Sequence, residues 1–218
     1  MDFKTVKLYK VLVDGKSCHG GNMTYSLPKG KKPGKWHKHT GKLSICKSGF
    51  HLTWNPAHWW KKDAECYEVE AKVFGECTED DCKVVVGEVR LIKKLTEKDL
   101  EQFQIFYSGK HEVKSGKAIA CSTSQVTAWN SSQVTAYNES LVTAYNSSQV
   151  TAYGNSQVTA NGNSRVTACD SSKVTAYDSS QVTCRYGLPS IKLESDNSIF
   201  LDYRTIPVGI ITRYSKLQ

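Results

Sequence analysis

The fold class this sequence predicts is an α+β head followed by a short parallel β-solenoid and a small C-terminal strand cap. Two observations predict it. The first is an array of octads over residues 116–187, in which Val126, Val134, Val142, Val150, Val158, Val166, Val174 and Val182 recur without a slip of phase. Each of these valines is followed by Thr, and all but the last of those Thr by Ala. An internal period this strict outranks local propensity as evidence of architecture. The second is an uneven charge. Residues 1–117 carry 22 Lys and Arg against 15 Asp and Glu, so almost all of the formal +8 belongs to the part ahead of the array. The expected division is therefore a basic head at 1–115, the solenoid at 116–187 and the cap at 188–218.

The head opens with an apolar strand over 6–13 that ends on the turn pair Asp14-Gly15. A polar, Gly- and Pro-rich passage runs on to Trp36. Ser48-Gly49 supplies a turn, residues 50–53 read as a short strand, and Asn55-Pro56 starts a helix over 57–64. Two strands follow, 65–74 and 82–93, joined by the acidic turn Glu79-Asp80-Asp81. Thr96 then caps a helix over 97–107, with acids in its first turns and Leu100, Phe103 and Phe106 on one side. That helix is expected to cover the open edge of the first solenoid coil.

Within one octad Ser, Val and Ala alternate with Gln, Thr and an aromatic residue. A period of two means a strand with one dry and one wet face, and the Asn, Asp, Gly and Ser residues that end each octad supply a turn. One octad cannot fold alone. Burying a Val contributes about 1.5–3 kcal/mol, while ordering the backbone costs roughly 1–2 kcal/mol per residue, so stability has to come from stacking. Ser, Val and Ala are too small to fill a wide triangular interior, which points to two octads per coil. Nine octads then give about four and a half coils and a rod on the order of 20 Å long. The aromatic slot alternates between two edges: Trp129, Tyr145, Asn161 and Tyr177 on one, Tyr137, Tyr153, Cys169 and Arg185 on the other. The ladder of Trp129, Tyr137, Tyr145, Tyr153 and Tyr177 either stacks on itself or offers a side-to-side interface. After Leu188-Pro189, residues 199–203 and 208–214 read as cap strands, or as strands that pair Ile210-Ile211-Thr212 with a second copy.

Three chemical readings of the head follow from its composition. From Gly15 to Lys62 there are ten lysines, no acid, five of the six histidines and four of the five tryptophans. Lys29, Lys31, Lys32, Lys35, Lys38 and Lys42, interleaved with Trp36, His37 and His39, form the pattern expected of a surface that meets phosphates or bases. Its partner would be nucleic acid, a nucleotide or an acidic protein. A second reading is a zinc site from Cys18, His19, Cys46 and His51, with Cys77 and Cys82 as a further pair, although the spacings match no standard zinc signature. The third is catalytic. The order of a first strand with Tyr9, then Gly49-Phe50-His51-Leu52-Thr53, then Tyr67-Glu68-Val69-Glu70 resembles the strand order of ADP-ribosyltransferases. That resemblance implies a nicotinamide dinucleotide, an Arg or His on the first strand and a late-strand Glu to stabilise the ribosyl cation. Here the first strand offers only Lys7 and Lys10, and Glu68, Glu70 or Glu88 would have to serve as the Glu.

Two further resemblances bear on the chain. The words Ser17-Cys18-His19-Gly20-Gly21, Ser26-Leu27-Pro28, Pro33-Gly34-Lys35-Trp36, Cys46-Lys47-Ser48-Gly49-Phe50-His51-Leu52, Tyr67-Glu68-Val69-Glu70-Ala71 and Lys83-Val84-Val85-Val86 look like those of a family of uncharacterised bacterial and phage proteins, whose members often carry octad arrays after this domain. The resemblance covers about residues 6–100 and implies no activity. The octads resemble those of bacterial ice-nucleation proteins, but with Val where a second outward Thr would be needed for a flat ice-binding face.

No P-loop, dinucleotide fingerprint, Ser-His-Asp set or Cys-His dyad is present. The sequence therefore reads as a non-catalytic binding and assembly module with no cofactor, the alternative being the ADP-ribosyltransferase-like enzyme. Self-association is expected through the solenoid or the C-terminal strands. No charged stretch followed by an apolar core opens the chain, and no apolar run approaches the length of a membrane span. The expected setting is the cytoplasm of a bacterium, or of a host cell during phage infection, with no membrane partner and with reduced cysteines.

Overall fold

The computed structural model describes residues 6–21 and 23–204, and the backbone of 210–212. It contains two compact units, one ending at Phe103 and the other beginning at Gln104. Among the described residues no helix is long and apolar enough to cross a membrane.

The head is built on strands β1 (Leu8–Val13), β2 (Lys16–Ser17), β3 (His37–Lys38), β4 (Phe50–Thr53), β5 (Glu65–Thr78) and β6 (Lys83–Lys94), all paired antiparallel. β5 pairs with both β1 and β6, and β4 pairs with both as well, so these four strands close on one another. Leu8, Leu12, Leu52, Val84, Val86 and Leu91 fill the core. Leu8 and Leu12, and Val84 and Val86, share a face of their strands as a two-residue period requires, whereas Leu91, five residues from Val86, falls out of that phase.

Both helices expected in the head are shorter than the sequence suggests. Asn55 accepts from the Ala57 N–H as a cap should, but only one 3-10 turn forms, Pro56–Trp59. The polar Lys61-Lys62-Asp63 step, with Asp63 in the left-handed region at φ 58°, turns the chain into β5 instead. Helix α1 (Glu97–Glu101) has the expected Thr96 cap, reinforced by a reciprocal bond from the Thr96 N–H to the Asp99 carboxylate. Leu100 is buried and Phe103 packs edge-on against Tyr9. Gln104 then takes φ 58°, and Ile105 and Phe106 leave the helix to join the solenoid. β-Branched and aromatic side chains gain more from a stacked ladder there than from one more helical turn.

Val73, within β5, has φ 58° and is 61% exposed. A β-branched residue in that region is strained by about 1–2 kcal/mol. Asn tolerates the conformation, so Val73→Asn is expected to stabilise the head by about 1 kcal/mol in thermal or urea unfolding. An unchanged midpoint would mean that the strain is relieved some other way.

The second unit is the solenoid. Its strands are β7 (Ile105–Phe106), β8 (Lys110–Val113), β9 (Lys117–Ala120), β10 (Gln125–Ala128), β11 (Gln133–Ala136), β12 (Leu141–Ala144), β13 (Gln149–Ala152), β14 (Gln157–Ala160), β15 (Arg165–Ala168), β16 (Lys173–Ala176), β17 (Gln181–Cys184), β18 (Ser190–Leu193), β19 (Ile199–Asp202) and β20 (Ile210–Thr212). Even strands up to β18 form one parallel sheet, odd strands the other, and Val126 pairs with Val142 as Val134 pairs with Val150. One coil is therefore two octads. The described residues form about six coils, roughly 30 Å of rod and longer than the octads alone imply. The additional coils lack the octad signature: β7 and β8 precede it, while β18 and β19 continue it in parallel register. Residues 199–202 thus extend the stack, and β20 alone runs antiparallel against β19. The rest of the expected strand 208–214 lies outside the described residues.

Register explains the repeat residue by residue. Val and Ala of each octad point inward and are almost wholly buried, as is the Ser that starts the octad. Gln and Thr face out. The second outward position is therefore held by Gln125, Leu141, Gln157 and Lys173 on one sheet, whereas Val lies inside the rod, which corrects the comparison with the ice-nucleation octads. In all but the last octad the residue after the aromatic slot has positive φ. Asn130, Asn138, Asn146, Gly154, Gly162, Asp170 and Asp178 all have it, and only these residue types adopt it cheaply. At the two edges Trp129 stacks on Tyr145, with ring centroids 4.4 Å apart, and Tyr137 on Tyr153 at 5.3 Å.

Candidate functional site

The head holds a cavity of about 410 Å³. It sits where β1 changes partner. Tyr9 pairs with Thr53 of β4, while Leu12 and Val13 pair with β2, which leaves Lys10 and Val11 between the two. Side chains take the carbonyls that the ladder leaves over. The Lys10 ammonium donates to the His51 carbonyl at 2.9 Å, and the Cys18 thiol points at the Val11 carbonyl at 3.7 Å. The Gly-containing loop after β2 brings Cys18 and His19 to the wall, β4 brings His51, the 3-10 turn brings Trp59, and the start of β6 brings Lys83.

All four residues of the expected zinc set, Cys18, His19, Cys46 and His51, line this cavity, and His51 Nε2, His19 Nε2 and the Cys46 sulfur are engaged there with other partners. His51 Nε2 accepts the Cys46 N–H at 2.8 Å, so this nitrogen carries no proton and has no lone pair left for a metal. His19 Nε2 lies 2.6 Å from the Trp59 carbonyl, which can only accept, so this nitrogen carries the proton. Cys46 Sγ accepts from the Lys83 ammonium at 3.0 Å. Among the described residues no three His, Cys, Asp or Glu side chains are grouped to hold a metal ion. Cys77 and Cys82 sit on the β5–β6 hairpin, and none of the eight cysteines, all of them among the described residues, is in a disulfide.

The expected anion-binding residues divide. Lys29, Lys31, Lys32, Lys35 and Lys42 are exposed and make no ion pair among the described residues. Lys38 pairs with Glu88 at 3.2 Å, and the Trp36 ring lies 4.5 Å from the Lys72 ammonium and 4.9 Å from the Arg90 guanidinium. His37 is structural: its Nε2 accepts the Ser26 N–H at 2.9 Å, and burial holds the ring below the usual imidazole range. His39 alone of this set reaches the cavity, bonded to the Ser48 hydroxyl at 2.9 Å.

Two residues outside the expected anion-binding and zinc sets dominate the site. Lys10 has its ammonium 5.3 Å from the Tyr25 ring centre, and burial pushes its pKa from 10.5 down to about 8. Lys83 has a side chain only 8% exposed, lies over the Trp59 ring at 4.5 Å and pairs with Asp81 at 3.6 Å. The available signal was Lys10 itself, a charge set inside the apolar run Leu8-Tyr9-Lys10-Val11-Leu12-Val13. Burial, followed by the neighbouring Lys10 and Lys83 charges, also depresses His51, and burial is the first cause of the low His19 value. No Asp or Glu lines the cavity among the described residues. The glutamates needed for ribosyl transfer are engaged elsewhere, Glu68 with Lys93, Glu70 with Arg90 and Glu88 with Lys38.

Residues 6–105 match the model of a family described as a domain of unknown function, DUF7666. Neither the curated proteins nor the solved structures contain a match to the chain.

Proposed function

We propose that the head is a binding module for a small anionic ligand of the phosphorylated, nucleotide-sized class, carried on a solenoid that serves as rigid scaffold or self-association surface. The observation that carries this reading is the cavity: three lysines, Lys10, Lys47 and Lys83, and three histidines line it, and no Asp or Glu is among the described lining residues. A pocket of this volume suits a small molecule, and a buried ammonium gains most from an anion where water is scarce. Trp59 and Tyr25 add aromatic surface for a ring or sugar. The exposed Lys29, Lys31, Lys32, Lys35 and Lys42 would steer the same anion, raising its rate of arrival without holding it. The likeness of the head's sequence words to those of bacterial and phage proteins supports reading this as an activity of a bacterial or phage-infected cytoplasm.

Titration calorimetry with ADP and with inorganic pyrophosphate tests the reading. Saturable binding is expected, weakened about tenfold or more by Lys83→Met, since a desolvated charge contact sets the lifetime of a complex. Joint replacement of Lys29, Lys31 and Lys32 by Ser is expected to slow association and flatten its salt dependence while leaving dissociation unchanged. Affinity that ignores Lys83→Met but collapses in the triple variant would move the site to the exposed lysines.

A further inference from the structure

We infer that Lys10 is a carbonyl-reactive amine, and that the pocket takes a small phosphorylated aldehyde or ketone that forms an imine with it. The inference rests on the anion-binding reading and goes beyond it by assigning chemistry to one atom. Lys10 lies in the gap where β1 has left β4 and not yet joined β2, so its amine lines the cavity. It makes one hydrogen bond, to the His51 carbonyl, and no ion pair among the described residues. No lining carboxylate holds it as ammonium. Burial acts in the same direction, with a pKa near 8.

The second buried cation has the complementary role. Lys83, held by Asp81 at 3.6 Å at the cavity wall, is suited to the phosphate. His19 supplies a neutral base: its Nε2–H is fixed on the Trp59 carbonyl, which leaves Nδ1 with a lone pair. In the reaction the Lys10 lone pair adds to the carbonyl carbon and the carbonyl oxygen takes up a proton, giving a carbinolamine. The nitrogen loses a proton, the hydroxyl leaves as water after protonation, and a carbon–nitrogen double bond remains. One water is released and nothing is oxidised or reduced. A lysine placed in this way is an activated nucleophile by desolvation.

The test treats the full-length protein at neutral pH with glycolaldehyde phosphate and cyanoborohydride, which reduces any imine to a stable amine, followed by peptide mapping. At neutral pH a lysine of pKa near 8 has on the order of a hundredfold more free amine than one at 10.5. The expected result is a single adduct at Lys10, at least roughly tenfold over Lys29, Lys31, Lys32 or Lys35, suppressed by inorganic pyrophosphate and absent in Lys10→Arg. Labelling of Lys10 that pyrophosphate leaves unchanged would overturn the phosphorylated class. Adducts spread over the exposed lysines, in a protein that still binds pyrophosphate by calorimetry, would overturn the imine and leave the binding reading standing. Spread adducts with no pyrophosphate binding would overturn both. The competition arm uses the unmodified protein and so holds even if Lys10→Arg fails to fold.

Discussion

Gly34→Ala is expected to unfold the head, or to lower its stability by about 3–5 kcal/mol. Gly34 is buried and its N–H bonds to the Leu91 carbonyl at 2.9 Å, which ties the Pro33-Gly34-Lys35-Trp36 passage to β6. A Cβ on Gly34 would come within 1.9 Å of the Ser26 carbonyl oxygen and 2.9 Å of its carbon. Both atoms are backbone, so no rotamer change can make room. Gly30 is the control: its φ is 57°, but a Cβ there meets nothing within 4 Å. Gly30→Ala should cost only the local strain, about 1 kcal/mol. Thermal unfolding with pyrophosphate binding as the readout separates the two. Equal effects would mean that backbone conformation, and not close approach, fixes the glycines of this loop.

What the sequence made legible follows from how far each contact reaches. In the solenoid a residue's neighbours are its own repeats, Val126 beside Val142 and Ala128 beside Ala144, so periodicity alone carries the coil size, the two edges and the inward face. The end coils were not legible, because β8 and β18 keep the register without the repeat: His111 pairs with Val126 and Ile191 with Val174. In the head the strands could be read, but not their partners. Tyr9 meets Thr53 across more than forty residues, and that single pairing opens the cavity. Composition pointed to the lysines of residues 29–42, whose charges largely face solvent, and passed over Lys10 and Lys83, whose charges are buried. The candidate zinc residues did converge, since the same opening draws them together. The His51 Nε2 lone pair takes a backbone N–H, the Cys46 sulfur takes an ammonium and the Cys18 thiol donates to a carbonyl, which spacing along the chain cannot foretell.

Lys10→Met is expected to make the head more stable at neutral pH while weakening anion binding by an order of magnitude or more. An ammonium whose pKa falls from 10.5 to about 8 on folding is disfavoured in its charged form by the fold, an effect of about 3 kcal/mol for such a shift. Below pH 8 the folded and unfolded chains both carry the proton, and the whole penalty is present. Between pH 8 and 10.5 the unfolded chain binds more protons than the folded one, so stability rises with pH across that window. The groups facing the amine complicate the upper end. Burial raises the Cys18 thiol, and burial raises Tyr25 to about 12, so both oppose the trend as they begin to ionise in the unfolded chain. The difference between wild type and Lys10→Met removes these common terms. The variant also leaves the His51 carbonyl without its donor, which costs about 1–3 kcal/mol, so the net gain at neutral pH is the smaller part of the penalty. Urea unfolding from pH 7 to 9.5 should show a wild-type midpoint that climbs toward that of the variant. Parallel profiles would mean that Lys10 is not buried as a charge, and the pocket would then lose the feature that distinguishes it from a patch of surface lysines. A side chain that lowers the stability of its own fold is retained where binding or chemistry needs it.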